Sequence, residues 1–183
     1  MVLTMLFLHV VLPSLSQNHK GDALPDVLQH VPMAAALTLR AVGCDSHSAS
    51  WGEFALSAAS SYVLAAGTTY ALKHCVGEQR PDKSDRRSFP SGHATFAFAG
   101  ATVLHHEYGH LSPWVSIGGY TVATLTAVHR VCQDRHYAHD VIAGAAIGFG
   151  ATELTYFIKR KLLRNRNIDM AFSSHSVSFA VWW

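Results

Sequence analysis

The sequence predicts an all-α protein: a bundle of about five to six helices with a short strand-like tail at its C-terminus. Three observations carry this. Of 183 residues, 49% are hydrophobic and only 14% charged, a low charge for a soluble domain. Long runs hold almost no charge: residues 54–72 and 114–128 have none, and 141–158 has Glu153 alone. Between these runs stand helix start and stop signals, such as Ser91 before one and Gly109 and Pro113 after it.

The elements follow in order. Residues 1–17 are apolar and end in Ser14-Leu15-Ser16, which reads as an export signal or anchor, although no Lys or Arg precedes it. The alternative is the apolar start of a helix. Residues 18–26 are polar and predict a loop. Residues 27–42 predict a short helix opened by Asp26, with Pro32 in an early turn, and 43–50 predict a loop. The run from 51 to 73 is long enough to cross a bilayer. It is built from Ala, Ser, Thr and Gly, small residues that let helices pack closely in a membrane bundle or a soluble one. Residues 74–89 are the most charged stretch, broken by Gly77 and Pro81, and predict a solvated or site-lining loop. Helices are expected over 91–108 and 112–130, then a connection over 131–135.

The last long helix is expected over 137–164, with His136 and Asp140 in its first turn. Its end is basic: Lys159-Arg160-Lys161, then Arg164 and Arg166. In a membrane that end faces the cytoplasm, which turns the other end outward. In a soluble bundle the same charges favour a helix C-terminus. The tail, 174–183, alternates Val177, Phe179, Val181 and Trp183 with small residues, a strand pattern with no evident partner. The domain organisation is therefore a possible signal or anchor (1–17), one helical domain (18–170) and a tail (171–183).

A net charge of +2 gives no nucleic-acid footprint. Cys44, Cys75 and Cys132 form no C-x-x-C pair, which argues against a zinc knuckle or a dithiol redox site. Buried free thiols are favoured for Cys75 and Cys132 over a disulfide between them. Thirteen histidines make any single one a weak signal.

The chemistry gathers around Ser88-Phe89-Pro90-Ser91-Gly92-His93. Pro90 suits a first helical turn and Ser91 a cap, and the exposed N–H groups of a helix start bind anions. Lys73 and Arg80, with six residues between them and Pro81 after, can converge on one anion, Lys as a point charge and Arg as a fork. Two basic residues near a polar loop are more often simply solvated. Arg130, His136 and Asp140 are sharper: a carboxylate four residues from a histidine can fix its tautomer and stabilise its charged form. His139 and Asp134 are competing local partners. One decoy is present. His106-Glu107-Tyr108-Gly109-His110 has the H-E-x-x-H form of zinc peptidases. Gly109 and Pro113 break the helix it would need and no third ligand follows at the usual spacing, so it reads as a polar helix end at a membrane or protein surface.

Taken together, Lys73-x6-Arg80-Pro81, Pro90-Ser91-Gly92-His93 and Arg130-x5-His136-x3-Asp140 resemble the motifs of the type 2 phosphatidic acid phosphatase (PAP2) and vanadium haloperoxidase superfamily, lipid-phosphatase branch. The resemblance covers roughly residues 56–157. One departure is His129 before Arg130, where the family usually has Ser. The resemblance implies that His136 is a nucleophile forming a phosphohistidine, oriented by Asp140. It implies that His93 is the general acid, and that Lys73, Arg80, Ser91, Gly92 and Arg130 hold the phosphoryl oxygens. Three cations and helix-start amides can neutralise phosphoryl charge as a metal otherwise does, so neither metal nor cofactor is expected. The expected substrate is a phosphate monoester, chiefly of a lipid: phosphatidate, phosphatidylglycerophosphate, isoprenyl diphosphate or lipid A. The expected location is the cytoplasmic membrane of a bacterial envelope with the site facing the periplasm. No protein partner is predicted. The alternatives are a soluble periplasmic acid phosphatase of broad specificity and, against the short chain, a haloperoxidase. Specificity would lie at the rim, residues 18–50 and 82–87.

Overall fold

The structure, a computed structural model, describes residues 23–164, 168–173 and 176–181. Among them are six helices: α1 (Ala23–Leu28), α2 (Val31–Ala41), α3 (Trp51–Val76), α4 (Gly92–Tyr108), α5 (Pro113–Cys132) and α6 (Ala138–Arg164). They form the expected all-α bundle. Two strands follow, β1 (Ile168–Ser173) and β2 (Ser176–Val181), paired antiparallel with Ile168 opposite Val181 and Ser173 opposite Ser176. The strand expected in the tail thus has a partner in the segment just before it. The expected leader, residues 1–17, lies outside the described residues.

The helix expected over 27–42 is two helices. Pro32 has no N–H to return to the carbonyl of Leu28, so the first helix stops and a second begins with Pro32 in its opening turn. Asp26 is therefore not a cap but lies inside α1. The ends of α3 are fixed locally. Ser50 accepts a hydrogen bond from the N–H of Glu53, and Gly77 closes the helix at φ 60°, a left-handed conformation that glycine adopts without steric cost. Ser91 and Ser112 cap α4 and α5. Pro90 stands before the cap rather than in the first turn.

α4 is the centre of the bundle, packing on α2, α3, α5 and α6. Its contacts differ along its length. Toward its C-terminal end, Phe54, Tyr108, Tyr156, Val103, Leu104, Met33 and Ala36 form, among the described residues, the cluster whose buried members are mostly large; Tyr62, Phe98 and Tyr120 pack at the edges of the others. Elsewhere small residues meet: Ala65, Ala99 and Ala151; Ala94, Ala127 and Val141; Ala97, Ala101 and Ala123. A Cβ on Gly148 would strike the carbonyl of Thr95, and one on Gly144 the carbonyl of Ser91. α4 and α6 thus touch backbone to backbone, which small residues alone permit.

Among the described residues, one helix, Ala138–Leu162, is long and apolar enough to cross a bilayer. The 54–72 run forms most of α3 but, with its many Ser, Thr and Gly residues, is not picked out by the same measure. Large apolar side chains face outward on several helices, among them Val63 (72% exposed), Trp114 (74%) and Ile142 (68%).

The H-E-x-x-H segment is not a surface helix end. Glu107 is fully buried and accepts hydrogen bonds from the Ser48 N–H (2.9 Å), the hydroxyls of Ser46 (2.7 Å) and Ser48 (2.7 Å), and that of Tyr156 (2.6 Å). Lys159 stands 3.8 Å away and also reaches Glu53 at 3.1 Å. His106 pairs with Glu153 at 2.8 Å instead of sharing a metal with His110. This knot ties the 43–50 loop to α4 and α6. Cys75 and Cys132 are free and exposed, so neither the buried-thiol expectation nor a disulfide holds.

Candidate active site

Four segments build the site: the end of α3, the 77–91 loop with the start of α4, the end of α5 with its connection to α6 and the opening turn of α6, and α1. Lys73, in the last turn of α3, donates from Nζ to the carbonyls of Arg87 (2.9 Å) and Pro90 (2.7 Å). It thereby fixes the loop that leads into Ser91. Arg80 donates from Nε to Asp85 Oδ1 at 2.9 Å, and the same oxygen accepts the Arg87 N–H at 2.8 Å. Burial opposes charge on Asp85, but the hydrogen bonds from Arg87 and Arg80 outweigh it and hold the carboxyl below its ordinary range. Arg135 donates to Asp82 at 2.8 Å, and the Asp82 N–H to the carbonyl of Asp134, so the loop is pinned to the α5–α6 connection.

His136 is not in the first turn of a helix. α6 begins at Ala138, and His136 lies just before it. Asp140 sits in the opening turn, where its Oδ2 takes the Tyr137 N–H (2.9 Å), as a helix-start carboxylate does. Ser88 donates its hydroxyl to the same oxygen at 2.5 Å. His136 Nδ1 stands 3.4 Å from that oxygen, an ion-pair distance. Both residues are buried, His136 at 3% exposure and Asp140 at 0%. Burial first, then the charges of Arg80, Arg130 and Lys73, push the His136 imidazole well below its ordinary value; Asp140 works in the opposite direction. His136 is therefore a neutral ring with a lone pair, surrounded by cations.

The Ser91 N–H donates to the carbonyl of Asp140 at 3.0 Å, and the Ser91 hydroxyl caps α4 at the Ala94 N–H. This backbone bond joins the two motif-bearing segments directly. A Cβ on Gly92 would meet open space, so the backbone there is clear for a ligand to approach. Arg130, near the end of α5, is buried at 3% exposure. His93 is the second residue of α4, and its Nε2 lies 2.6 Å from Asp26 Oδ1 on α1.

All eight residues singled out by the sequence sit on these segments. His136, Asp140 and Ser91 are joined by direct contacts, Lys73 holds the loop entering Ser91, and the charges of Lys73, Arg80 and Arg130 act on His136. Of the competing partners, His139 does reach Asp140: its Nε2 is 3.1 Å from Oδ1 while also bonded to Glu78. Glu78, His139 and Asp140 are the group among the described residues whose ligand atoms lie within 4.8 Å of one another, as a metal site requires. Sequence reasoning missed Ser88, Glu78 and Asp26. Ser88 lay inside the stretch it emphasised; Asp26 carried no signal beyond that of a helix cap.

Residues 54–164 match the PAP2 superfamily. A lipid A 1-phosphatase of Porphyromonas gingivalis is 43% identical over 78% of this chain, which spans 32% of that protein. Lipid phosphate phosphatase 2 of Arabidopsis thaliana is 32% identical over 45% of this chain and 32% of its own length. The chain thus spans about a third of these curated relatives. The crystal structure of Aquifex aeolicus LpxE aligns with a TM-score of 0.59 at 20% identity, covering 82% of this chain and 94% of that one, a likeness of fold. With its three motifs joined as described, the chain belongs to the PAP2 superfamily.

Proposed function

We propose that this protein is a metal-independent phosphatase that hydrolyses a phosphate monoester of a lipid through a phosphohistidine, with lipid A 1-phosphate the leading substrate. The observation that carries the chemistry is His136, a buried ring kept neutral beside Asp140 and amid three cations. Its Nδ1 faces Asp140, which leaves Nε2 to attack phosphorus. The P–O bond to the lipid breaks as the P–N bond forms, and His93 gives its proton to the leaving oxygen. Water then attacks the phosphohistidine, His93 takes a proton from that water, and inorganic phosphate leaves. Lys73, Arg80, Arg130, the Ser91 hydroxyl and the Gly92 amide serve the phosphoryl oxygens in both steps, while the Ser91 N–H stays on the carbonyl of Asp140. The 43% identity to a lipid A 1-phosphatase supports the substrate.

The proposed location is the cytoplasmic membrane of a bacterial envelope, with the site on the periplasmic side. Outward-facing Val63, Trp114 and Ile142 and the apolar α6 support membrane insertion. Lys159, Arg160 and Lys161 at the far end of α6 support the orientation.

Phosphate release is measured over lipid A, phosphatidate, phosphatidylglycerophosphate, undecaprenyl diphosphate and a soluble aryl phosphate. Lipid A is expected to be the best substrate, vanadate to inhibit, and EDTA to leave the rate unchanged. His136→Ala is expected to abolish turnover and the acid-labile phosphoenzyme. A fully active His136→Ala protein sinks the mechanism. Preference for the aryl phosphate, with release from carbonate-washed membranes, would instead indicate a soluble phosphatase of broad specificity.

A further inference from the structure

We propose that Asp26 is a positioning residue that keeps His93 charged and oriented as the proton donor; this rests on the reading of His93 as the acid. His93 Nε2 and Asp26 Oδ1 are 2.6 Å apart, a charge-assisted hydrogen-bond distance. Asp26 lies outside residues 54–164, the stretch that matches the superfamily, so none of the three motifs includes it.

His93 needs such a partner because of where it sits. As the second residue of α4 it lies at the positive end of a helix, which disfavours an imidazolium. His30, at the start of α2, interacts electrostatically with both His93 and Asp26 and is the further titratable neighbour of the pair. An acid must nevertheless hold its proton until the leaving oxygen takes it. Asp26 supplies the opposing charge from a second direction. Its own position is set by packing: neighbouring Pro25 is fully buried, and α1 rests on α4 and α5. Gln29 also donates to the Asp26 carbonyl at 3.1 Å.

The proton accounting is simple. In the imidazolium both ring nitrogens carry hydrogen. The Nε2 hydrogen stays on the ring, donated to Asp26 throughout, and the Nδ1 hydrogen passes to the leaving oxygen. The ring is left neutral in the tautomer that Asp26 selects, and Nδ1 then accepts the proton of the attacking water. Asp26 touches neither phosphorus nor the leaving group.

The test uses leaving groups that differ in their need for a proton. The purified full-length protein is assayed for kcat/KM on p-nitrophenyl phosphate and on phenyl phosphate, with Asp26→Asn, Asp26→Glu, His93→Ala and the Asp26→Asn/His93→Ala double variant. General acid catalysis is worth about 100-fold or more. Asp26→Asn is expected to lower kcat/KM on phenyl phosphate about 10- to 100-fold and on p-nitrophenyl phosphate less than about 3-fold. Asp26→Glu is expected to regain much of the loss, and the double variant to be no slower than His93→Ala alone. Equal losses on both substrates, or a full additional loss in the double variant, would overturn the role of Asp26. If His93→Ala itself fails to discriminate between the substrates, the acid role of His93 falls, and the Asp26 proposal with it.

Discussion

Gly148→Ala and Gly150→Ala are the same chemical change two residues apart on α6, and opposite outcomes are expected. A Cβ at 150 would meet no atom within 4 Å. There the change removes only glycine's backbone freedom, and about 1 kcal/mol of stabilisation is expected. A Cβ at 148 would stand 2.9 Å from the N of Ala99 and 3.0 Å from the carbonyl carbon of Thr95, and nearer still to the Thr95 oxygen. Carbon contacts settle at about 3.5–4.0 Å, so α6 must retreat from α4 by on the order of 1 Å. The atoms in the way are helix backbone and cannot rotate aside. Overpacking of this kind costs about 1–3 kcal/mol, and rigid neighbours put this site at the upper end. After the propensity gain, a net loss of about 2 kcal/mol remains. For a chain of this size that is a fall in Tm of about 4–8 °C, against a rise of about 2–4 °C for Gly150→Ala. Thermal unfolding in one detergent measures both. Gly148→Ala as stable as Gly150→Ala would refute the close backbone contact between α4 and α6. Activity adds a second reading: α6 carries Asp140 and α4 carries His93, and a misplacement of about 1 Å can cost about 100-fold in rate.

Two further outcomes are expected. The His136 imidazole has a lower pKa folded than unfolded, so between that value and the ordinary 6.5 the unfolded chain binds a proton that the folded chain does not. Its contribution is complete above pH 6.5 and is lost as the pH falls; Tm measured from pH 7.5 to 5.5 should drop more in the wild type than in His136→Gln, and equal drops contradict the shift. Glu107→Ala strips Ser46, Ser48 and Tyr156 of their acceptor and leaves Lys159 without one of its two carboxylates. A loss of about 3–5 kcal/mol is expected in denaturant unfolding, and a change under about 1 kcal/mol would show that Glu107 is not a structural anchor.

Six of the eight motif residues stand out in the sequence because their chemistry is unusual for a chain this apolar: cations, histidines and a carboxylate set between charge-free helices; Ser91 and Gly92 stand out only as the helix start beside them. What the sequence could not disclose depended on contacts between distant segments. Asp26 looks like a helix cap when only its neighbours are considered; its partner His93 is 67 positions away. Glu107 sits in a pattern that suggests metal binding, and only the fold brings Ser46, Ser48, Tyr156 and Lys159 to it. β2 was visible from its alternation, whereas β1, with Asp169 and Ala171 among its residues, lacks a comparable apolar period. The break between α1 and α2 was readable in principle from Pro32, whose missing donor decides it.

The contrast between the two ends of the bundle explains why so few large side chains surround the chemistry. At the far end, aromatic packing and the Glu107 knot hold α4, α6 and the 43–50 loop together. Near the site the helices meet through Ala and Gly, and the decisive link is the backbone bond from the Ser91 N–H to the carbonyl of Asp140. Side chains change rotamers within nanoseconds, but a helix start tied to a helix start moves as one piece. Ser91 is the cap of α4, two residues before His93; Asp140 lies in the opening turn of α6, four residues after His136. The bond therefore sets the spacing between the proposed acid and nucleophile through the main chain. A bulkier interface between α4 and α6 would lengthen it, so the small residues at this interface suit the proposed placement of one phosphoryl group between two histidines.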